Sequence, residues 1–350
     1  MGIENSLFMR AARGEETPRP PIWLMRQAGR SDPVYREIRE AFPRPLEDLF
    51  RTPELACMIT LLPVRWGVDA AIIFQDILTP LYGMGAPFVF RPGPKPESPF
   101  REIADFNQLH LFDMSEGLPS LERLYEMLRN ALKDTEIPLL GFAGAPFTLF
   151  TFMAENGSPP SNLPQTRILM NQYPKEVRRI LELLADMTIE YLKFHTSCGA
   201  DAVQLFESVG HLLSPEEYCE WMLPYQQRVF DGINSVGKPT IFFARRHDAL
   251  IPAATLHAAG ATILSLPEAY SIKVVRAEIG EHLPVQGNLD NHLLAEGDEE
   301  AIREATARCI EEGGCQGHIF NLSHGLLPNT PFENVRLVVE RVRGYKKKGT

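Results

Sequence analysis

The sequence predicts a (β/α)8 barrel, and three observations lead to that fold class. Eight short apolar runs alternate with helix-length amphipathic segments, as expected when parallel strands are connected by helices. Polar residues follow most of these runs where a strand would end. No glycine-rich nucleotide-binding loop follows the first run, which disfavours a doubly wound open sheet. The predicted strands are 21–25, 69–75, 138–142, 202–206, 239–244, 261–265, 284–287 and 318–322.

The connecting segments fit the same fold. Gly199 and Gly260 stop helical patterns just before predicted strands, and Ser214-Pro215 has the chemistry of a helix N-terminus. We expect one domain over residues 1–350, with the barrel at about 20–345. The segment 83–99, rich in proline and glycine, is interpreted as a small excursion after the second strand. The predicted helices are 174–197, 214–236, 248–258, 298–312 and 331–343.

The charge distribution points to an acidic protein with a local cationic pocket. The net charge of −10 argues against nucleic acid or an anionic membrane as the main partner. The first 51 residues nevertheless hold nine of the 26 arginines and no lysine, against eight acids. Such a concentration of arginine suits a small polyanionic ligand.

Targeting and cysteine patterns favour a cytoplasmic protein. The N-terminal residues contain acids and prolines where a signal peptide needs an apolar core, and no apolar run reaches about 18 residues. The five cysteines form no C-x-x-C pair. This predicts reduced thiols rather than a disulfide framework or a zinc site.

The stretch PIWLMRQAGR predicts a binding site for acid groups. Its apolar run, 21–25, ends at Arg26 and Arg30, with Gly29 allowing a turn between them. A guanidinium offers a rigid fork of donors that fits a carboxylate. We interpret the pair as a clamp for a substrate with several carboxylates; surface ion pairing is the alternative.

Asp76 follows the second predicted strand in AIIFQDIL. It is either an exposed acceptor at the centre of the site or a cap for the next helix. Other polar groups are also expected at strand ends, where the reactive groups of a barrel lie. They are Ser208, Arg245, Arg246, Asn288, Asp290 and His324.

Five motifs in order resemble the uroporphyrinogen decarboxylase family, and together they cover nearly the whole chain. They are RQAGR followed by Pro33, Tyr35, Arg36 and Arg39, then GFAGAPFTL (141–149), QLFES (204–208), QGNLD (286–290) and NLSHGLLP (321–328). The resemblance implies removal of the four acetate carboxyl groups of uroporphyrinogen III, giving coproporphyrinogen III in haem biosynthesis. It also implies a homodimer. Because protonation of the pyrrole makes the ring an electron sink, no metal or organic cofactor is expected.

The resemblance also assigns site residues. Asp76 would accept from the pyrrole N–H groups and stabilise the protonated ring, while Arg26 and Arg30 would bind carboxylates and one of them would handle the proton. Arg39 matches a further arginine of the family. The full substrate-binding set is Arg26, Gln27, Ala28, Gly29, Arg30, Arg39, Asp76, Phe142, Phe152, Ser208 and His324, with Asp76, Arg26 and Arg30 as the catalytic residues.

Four departures from the family pattern stand out. Ser31-Asp32 replaces Tyr-Leu, Phe152 replaces a tyrosine, 265–268 replaces Gly-x-Asp-Trp, and Ser323 replaces a glycine. Two alternatives stay open. A corrinoid-dependent methyltransferase would need a zinc-bound thiol, and the corresponding stretch FFARRHDAL has no cysteine. A protein that binds a tetrapyrrole without turnover is the other.

Overall fold

The computed structural model describes residues 2–245 and 251–347, and a parallel sheet organises them. Seven of the nine strands in these residues form this sheet, in the order β1-β4-β5-β6-β7-β8-β9. The strands are β1 (Ala71–Ile72), β2 (Phe88–Phe90), β3 (Pro94–Pro96), β4 (Leu139–Gly144), β5 (Ala202–Glu207), β6 (Thr240–Ala244), β7 (Ile263–Ser265), β8 (Val285–Gln286) and β9 (His318–Ile319).

The first predicted strand closes the sheet into a barrel, although only one of its residues forms a β-bridge. Ile22 pairs in parallel with Phe320, beside β9, and the Ile22 carbonyl accepts from the Asp69 N–H at 2.7 Å, beside β1. Ile22 therefore lies between β9 and β1 and completes a ring of eight strand positions. The predicted barrel is confirmed.

Side chains explain why the predicted strand 21–25 is so short. The Leu24 N–H donates to Gln27 Oε1 at 3.0 Å and the Met25 N–H donates to Asn321 Oδ1 at 2.9 Å. Because these donors bond to amide side chains, they are not available to a neighbouring strand. The local apolar pattern gives no sign of these partners.

The helices surround the barrel, and most predicted boundaries hold within a few residues. They are α1 (Leu7–Ala12), α2 (Pro33–Ala41), α3 (Leu46–Arg51), α4 (Pro53–Leu61), α5 (Met114–Gly117), α6 (Pro119–Leu132), α7 (Pro146–Ala154), α8 (Pro164–Gln172), α9 (Pro174–Cys198), α10 (Pro215–Trp221), α11 (Leu223–Asn234), α12 (Ala253–His257), α13 (Ile272–Ile279), α14 (Asn291–Glu296), α15 (Glu299–Gly313) and α16 (Phe332–Arg343).

One helix prediction is wrong and another lies partly outside the described residues. The segment 214–236 forms two helices, α10 and α11, which meet at Met222. Pro224, in the first turn of α11, cannot donate to the preceding turn and ends the first helix. Of the predicted helix 248–258, the residues 248–250 fall outside the described ranges.

The predicted excursion after the second strand is a hairpin. Strands β2 and β3 pair in antiparallel fashion as a separate two-stranded sheet. The ring of Phe90 packs edge-on against Phe50 in α3, with ring centroids 5.7 Å apart. The hairpin therefore lies against the helices that follow the Arg26–Arg30 loop.

A network of buried polar side chains fills the barrel below the strand ends. Trp23 Nε1 donates to Gln286 Oε1 at 3.0 Å, and Gln286 Nε2 donates to Gln204 Oε1 at 3.1 Å and to Ser265 Oγ at 3.0 Å. These residues come from strand positions that are not all neighbours, so the network crosses the interior. The reactive groups are left to the mouth, the end of the barrel where the strands finish.

Candidate active site

The Arg26–Arg30 loop is held in a fixed conformation at the mouth. Arg26 has a φ of 60°, and Gly29 has a φ of 88°, which favours glycine. A Cβ added to Gly29 would lie 2.6 Å from Cε2 of Phe74. The fully buried Gln27 amide accepts from the Leu24 N–H and donates to the Ala70 carbonyl at 3.0 Å. Its side chain therefore braces the loop.

The NLSHGLLP segment lies directly against this loop. The Leu326 N–H donates to the Met25 carbonyl at 2.9 Å, and Asn291 Nδ2 donates to the Gly325 carbonyl at 3.0 Å. A Cβ added to Gly325 would lie 2.4 Å from Cδ of Arg26. The glycine after His324 therefore leaves the space that the Arg26 side chain occupies.

Asp76 has the capping role that its position suggests. Its Oδ1 accepts from the Leu78 N–H at 2.9 Å, so one oxygen does cap the following turn. The side chain is half-buried. Burial raises the pKa of Asp76 to about 6, although the Leu78 N–H and the charges of Arg26 and Arg30 act in the opposite direction. The carboxylate thus stands near both arginines of the loop.

Arg26 is the cation on which the other charged residues of the candidate site act. It is exposed toward the open mouth, yet the surrounding protein, the charge of Arg30 and that of Arg245 lower its pKa to about 10, against the effect of Asp76. The sequence places Arg245 and Arg246 together at a strand end. Arg245 follows a strand on the other side of the barrel, and its charge acts on Arg26 across the mouth, whereas Arg246 lies outside the described residues.

His324 is a neutral imidazole over the physiological pH range. Burial and the charges of Arg26 and Arg245 lower the pKa of His324 to about 3. Its ring packs edge-on against Phe243, with centroids 5.6 Å apart. It can therefore offer a hydrogen bond to a ligand without adding a further positive charge.

Ser208 is positioned by a buried carboxyl group that sequence reasoning did not select. Thr148 Oγ1 accepts from the Ser208 N–H at 2.9 Å and donates to Glu207 Oε1 at 2.5 Å. Gln226 Nε2 donates to Glu207 Oε2 at 3.2 Å. Burial raises the pKa of Glu207 to about 7. The acid in QLFES, just before a strand end, was the available signal.

The predicted apolar residues lie on β4 and α7. Phe142 is 7% exposed and packs edge-on against Phe206, with centroids 5.5 Å apart. Phe152 is half-buried in α7, and Ala28 is half-buried in the arginine loop. Phe142 is therefore largely covered by its neighbours.

Three of the other polar residues have structural partners. Arg39 Nη1 donates to the Arg44 carbonyl at 3.0 Å, and its charge, together with that of Arg30, acts on the pKa of Tyr35. Asn288 Nδ2 donates to the carbonyls of Pro267 and Tyr270, at 2.9 and 2.6 Å. Asp290 caps α14. Asn288 thus supports a loop, and Asp290 supports a helix.

Asp32, one of the two residues of the Ser31-Asp32 departure, has its own partners in this chain. Asp32 is fully buried and caps α2, with its Oδ1 accepting from the Val34 N–H at 2.8 Å. Arg65 Nη2 lies 2.7 Å from both carboxylate oxygens, and Trp66 Nε1 donates to Oδ2 at 2.9 Å. The change from an apolar residue to an acid is therefore matched by a cation and a donor from one other segment.

The barrel with these groups at its strand ends defines the class, a TIM-barrel enzyme. The profile of the uroporphyrinogen decarboxylase (URO-D) family matches residues 3–345. The uroporphyrinogen decarboxylase of Thermus thermophilus is 40% identical over 347 residues, covering 98% of this chain and 99% of its own. That of Syntrophotalea carbinolica is 39% identical over 337 residues, covering 96% of each chain. The chain belongs to the uroporphyrinogen decarboxylase family.

Family membership confirms the predicted carboxy-lyase class. Solved structures add the fold alone. A methyltransferase from Methanosarcina mazei has a TM-score of 0.79 at 18% identity, covering 97% of this chain and 98% of its own. A B12-independent methionine synthase from Shewanella has a TM-score of 0.55 at 12% identity, covering 93% and 96%.

Two kinds of feature are absent from the part of the chain that the structure describes. Within residues 2–245 and 251–347, no helix is long and apolar enough to cross a membrane. Over the same ranges, no group of three or more His, Cys, Asp or Glu side chains is arranged to hold a metal ion.

Proposed function

We propose that this chain removes the four acetate carboxyl groups of uroporphyrinogen III in successive steps at the mouth of the barrel, yielding coproporphyrinogen III. The observation that carries the proposal is the placement of a half-buried carboxylate, Asp76, near the two arginines of the RQAGR loop. A substrate with many carboxylates and several pyrrole N–H groups needs both kinds of partner.

Each decarboxylation follows from the electron-rich pyrrole. A proton adds to the α-carbon of the pyrrole next to the carbon that bears the acetate arm, which leaves the ring positively charged and the arm-bearing carbon electron-poor. The bond between the arm and its carboxylate then breaks, carbon dioxide leaves, and the electron pair neutralises the ring. A second proton adds to the exocyclic CH2 carbon to complete the methyl group, and the first proton leaves the ring α-carbon, which restores the aromatic pyrrole. The protein must supply the proton, stabilise the cation and hold the remaining carboxylates.

Asp76 is proposed to accept from the pyrrole N–H groups. Its Oδ2 is not engaged by the Leu78 N–H, which bonds to Oδ1. When ionised, the carboxylate would also stabilise the cationic ring, a charge that develops only on the way to the transition state. Burial raises its pKa, so this negative charge is poorly solvated before substrate binds.

Arg26 and Arg30 are proposed to clamp carboxylates through bidentate hydrogen bonds. Of the two, Arg26 has a pKa lowered to about 10, which favours it as the group that handles the proton. Ser208 and the neutral His324 would add hydrogen bonds to the substrate. Phe142 and Phe152 would contact the apolar faces of the macrocycle, with Ala28, Gly29 and Arg39 contributing near the loop.

An anaerobic assay with reduced uroporphyrinogen III, with products separated by carboxyl number, tests this function. We expect intermediates with seven, six and five carboxyl groups, ending at four. Chelators should leave the rate unchanged. A tetrapyrrole that binds without losing carboxyl groups would contradict the proposal. Activity that is lost with a chelator and restored by zinc would instead favour the methyltransferase.

Following the family resemblance, we propose a cytoplasmic homodimer. Sedimentation at micromolar concentration measures the oligomeric state directly. A species of twice the chain mass is expected, and a monomer of 39.4 kDa would contradict the dimer.

A further inference from the structure

We propose that Arg245 is a third carboxylate-binding residue of this site, gripping the substrate on the side of the mouth opposite Arg26 and Arg30. The inference rests on the proposed function and extends it. No motif of the family resemblance assigns a substrate contact to this residue.

Topology places Arg245 across the barrel from the arginine loop. It directly follows β6, and its N–H donates to the Glu207 carbonyl at 2.9 Å, which continues the ladder between β5 and β6. Counting from the Ile22 position, β6 is fifth of the eight strand positions. The first and fifth positions of an eight-stranded barrel are diametrically opposed.

The alternation of side chains along β6 directs Arg245 inward. Phe242 packs against Phe230 of α11, with ring centroids 5.6 Å apart, so it points outward to the helices. Phe243 instead contacts His324 and Phe206, at 5.6 and 5.4 Å, so it points into the mouth. Since side chains two residues apart in an extended strand share a face, Arg245 lies on the inner side with Phe243.

The Arg245 guanidinium has no carboxylate partner among residues 2–245 and 251–347. Its side chain is exposed toward the mouth, and the surrounding protein lowers its pKa. Its charge in turn lowers the pKa of both Arg26 and His324. Among the described residues, the charges of Arg26, Arg30 and Arg245 therefore act together near Asp76, and a bound carboxylate would relieve this excess of positive charge.

The shape of the substrate favours a carboxylate-binding residue on this side of the mouth. A tetrapyrrole macrocycle carries carboxylate arms around its whole rim, so one ring held by Arg26 and Arg30 leaves the arms of the opposite ring directed across the mouth. Those arms would meet Arg245, which follows a strand on that side of the mouth. A planar guanidinium there can bind a carboxylate through two parallel hydrogen bonds.

Steady-state kinetics on uroporphyrinogen III, with Arg245→Gln, Arg245→Lys and the control Arg336→Gln, test the proposal. Arg336 is an exposed arginine of α16 paired with Glu340, so the control removes one charge elsewhere. Loss of a hydrogen bond to a charged group predicts a KM raised about 10- to 100-fold in Arg245→Gln, with kcat within about threefold. The lysine variant should recover part of this loss, and the control should match the wild-type chain.

The opposite outcomes would overturn the assignment. A KM for Arg245→Gln equal to that of the control, or a loss confined to kcat, would remove Arg245 from substrate binding. Equal losses in the glutamine and lysine variants, unaffected by salt, would show that the charge is irrelevant.

A binding measurement separates this proposal from the proposed function. If the wild-type chain fails to decarboxylate uroporphyrinogen, the function is wrong. The affinity for oxidised uroporphyrin, followed by fluorescence, then still decides the role of Arg245: weaker binding by Arg245→Gln than by the control supports it, and equal binding refutes it.

Discussion

Replacing Asp76 with asparagine should lower activity without lowering stability. The substitution keeps the side chain's shape and an oxygen that can still accept from the Leu78 N–H, so the cap at 2.9 Å survives. It deletes the negative charge. If that charge stabilises a cationic pyrrole, the loss should fall mainly on kcat, by about 10²- to 10³-fold.

Although Asp76→Asn should lower activity, it should not lower the free energy of unfolding at neutral pH. Burial raises the pKa of Asp76 from 3.8 to about 6, so holding it ionised at pH 7 costs the folded state up to about 3 kcal/mol. A raised carboxyl pKa means that the folded state binds more protons than the unfolded state between about pH 4 and 6. The contribution of Asp76 to stability therefore falls as pH rises through this window. Asp76→Asn should remove that slope and unfold no earlier than the wild-type chain.

Single-turnover kinetics and urea unfolding between pH 4.5 and 8 measure both effects. In the wild-type chain, kcat/KM should decline below about pH 6 as Asp76 becomes protonated. Asp298→Asn, which changes an exposed helix cap of α15, is the matched control and should leave the rate unchanged. An Asp76→Asn variant with normal kcat, or one that loses activity only because it unfolds, would refute the reasoning.

Three further substitutions test the surroundings of the site. Gly325→Ala would place a Cβ 2.4 Å from Cδ of Arg26, so kcat/KM should fall about 10²-fold with little change in melting temperature. Gly93→Ala, where the added Cβ has space, is the control. Equal activity of the two variants would contradict the described packing of Gly325 against Arg26. Asp32→Leu removes a helix cap and the hydrogen bonds of a buried carboxylate to Arg65 and Trp66, so urea unfolding should show a loss of about 2–4 kcal/mol, and a change below about 0.5 kcal/mol would count against it. Arg30→Lys keeps the charge but loses the fork, so steady-state kinetics should show mainly a raised KM; a lowered kcat at constant KM would argue for a chemical role.

The barrel could be predicted because its signals are local. Apolar runs, glycine stops such as Gly199 and the cap at Ser214 act within a few residues, and the structure places α9, α10 and β5 accordingly. The end of β6 was also visible, and with it Arg245. Polar residues at the predicted strand ends therefore indicate where the mouth of the barrel lies.

What the sequence could not provide depends on partners far along the chain. The first strand is shortened because Met25 bonds to Asn321, which is 296 residues away. Glu207 is held by Thr148 and Gln226, from helices on either side of it in sequence. Asp32 departs from the family pattern, and the cation that pairs with it, Arg65, lies 33 residues further along the chain. Such pairings follow from the closed barrel and not from the local pattern.

The structure of this chain with coproporphyrinogen bound, determined without oxygen, tests the central claim most directly. The account predicts the macrocycle in the mouth, with the Asp76 carboxylate about 3 Å from pyrrole nitrogens and carboxylate arms on Arg26 and Arg30. A macrocycle bound outside the mouth, or one whose nitrogens face away from Asp76, would contradict it.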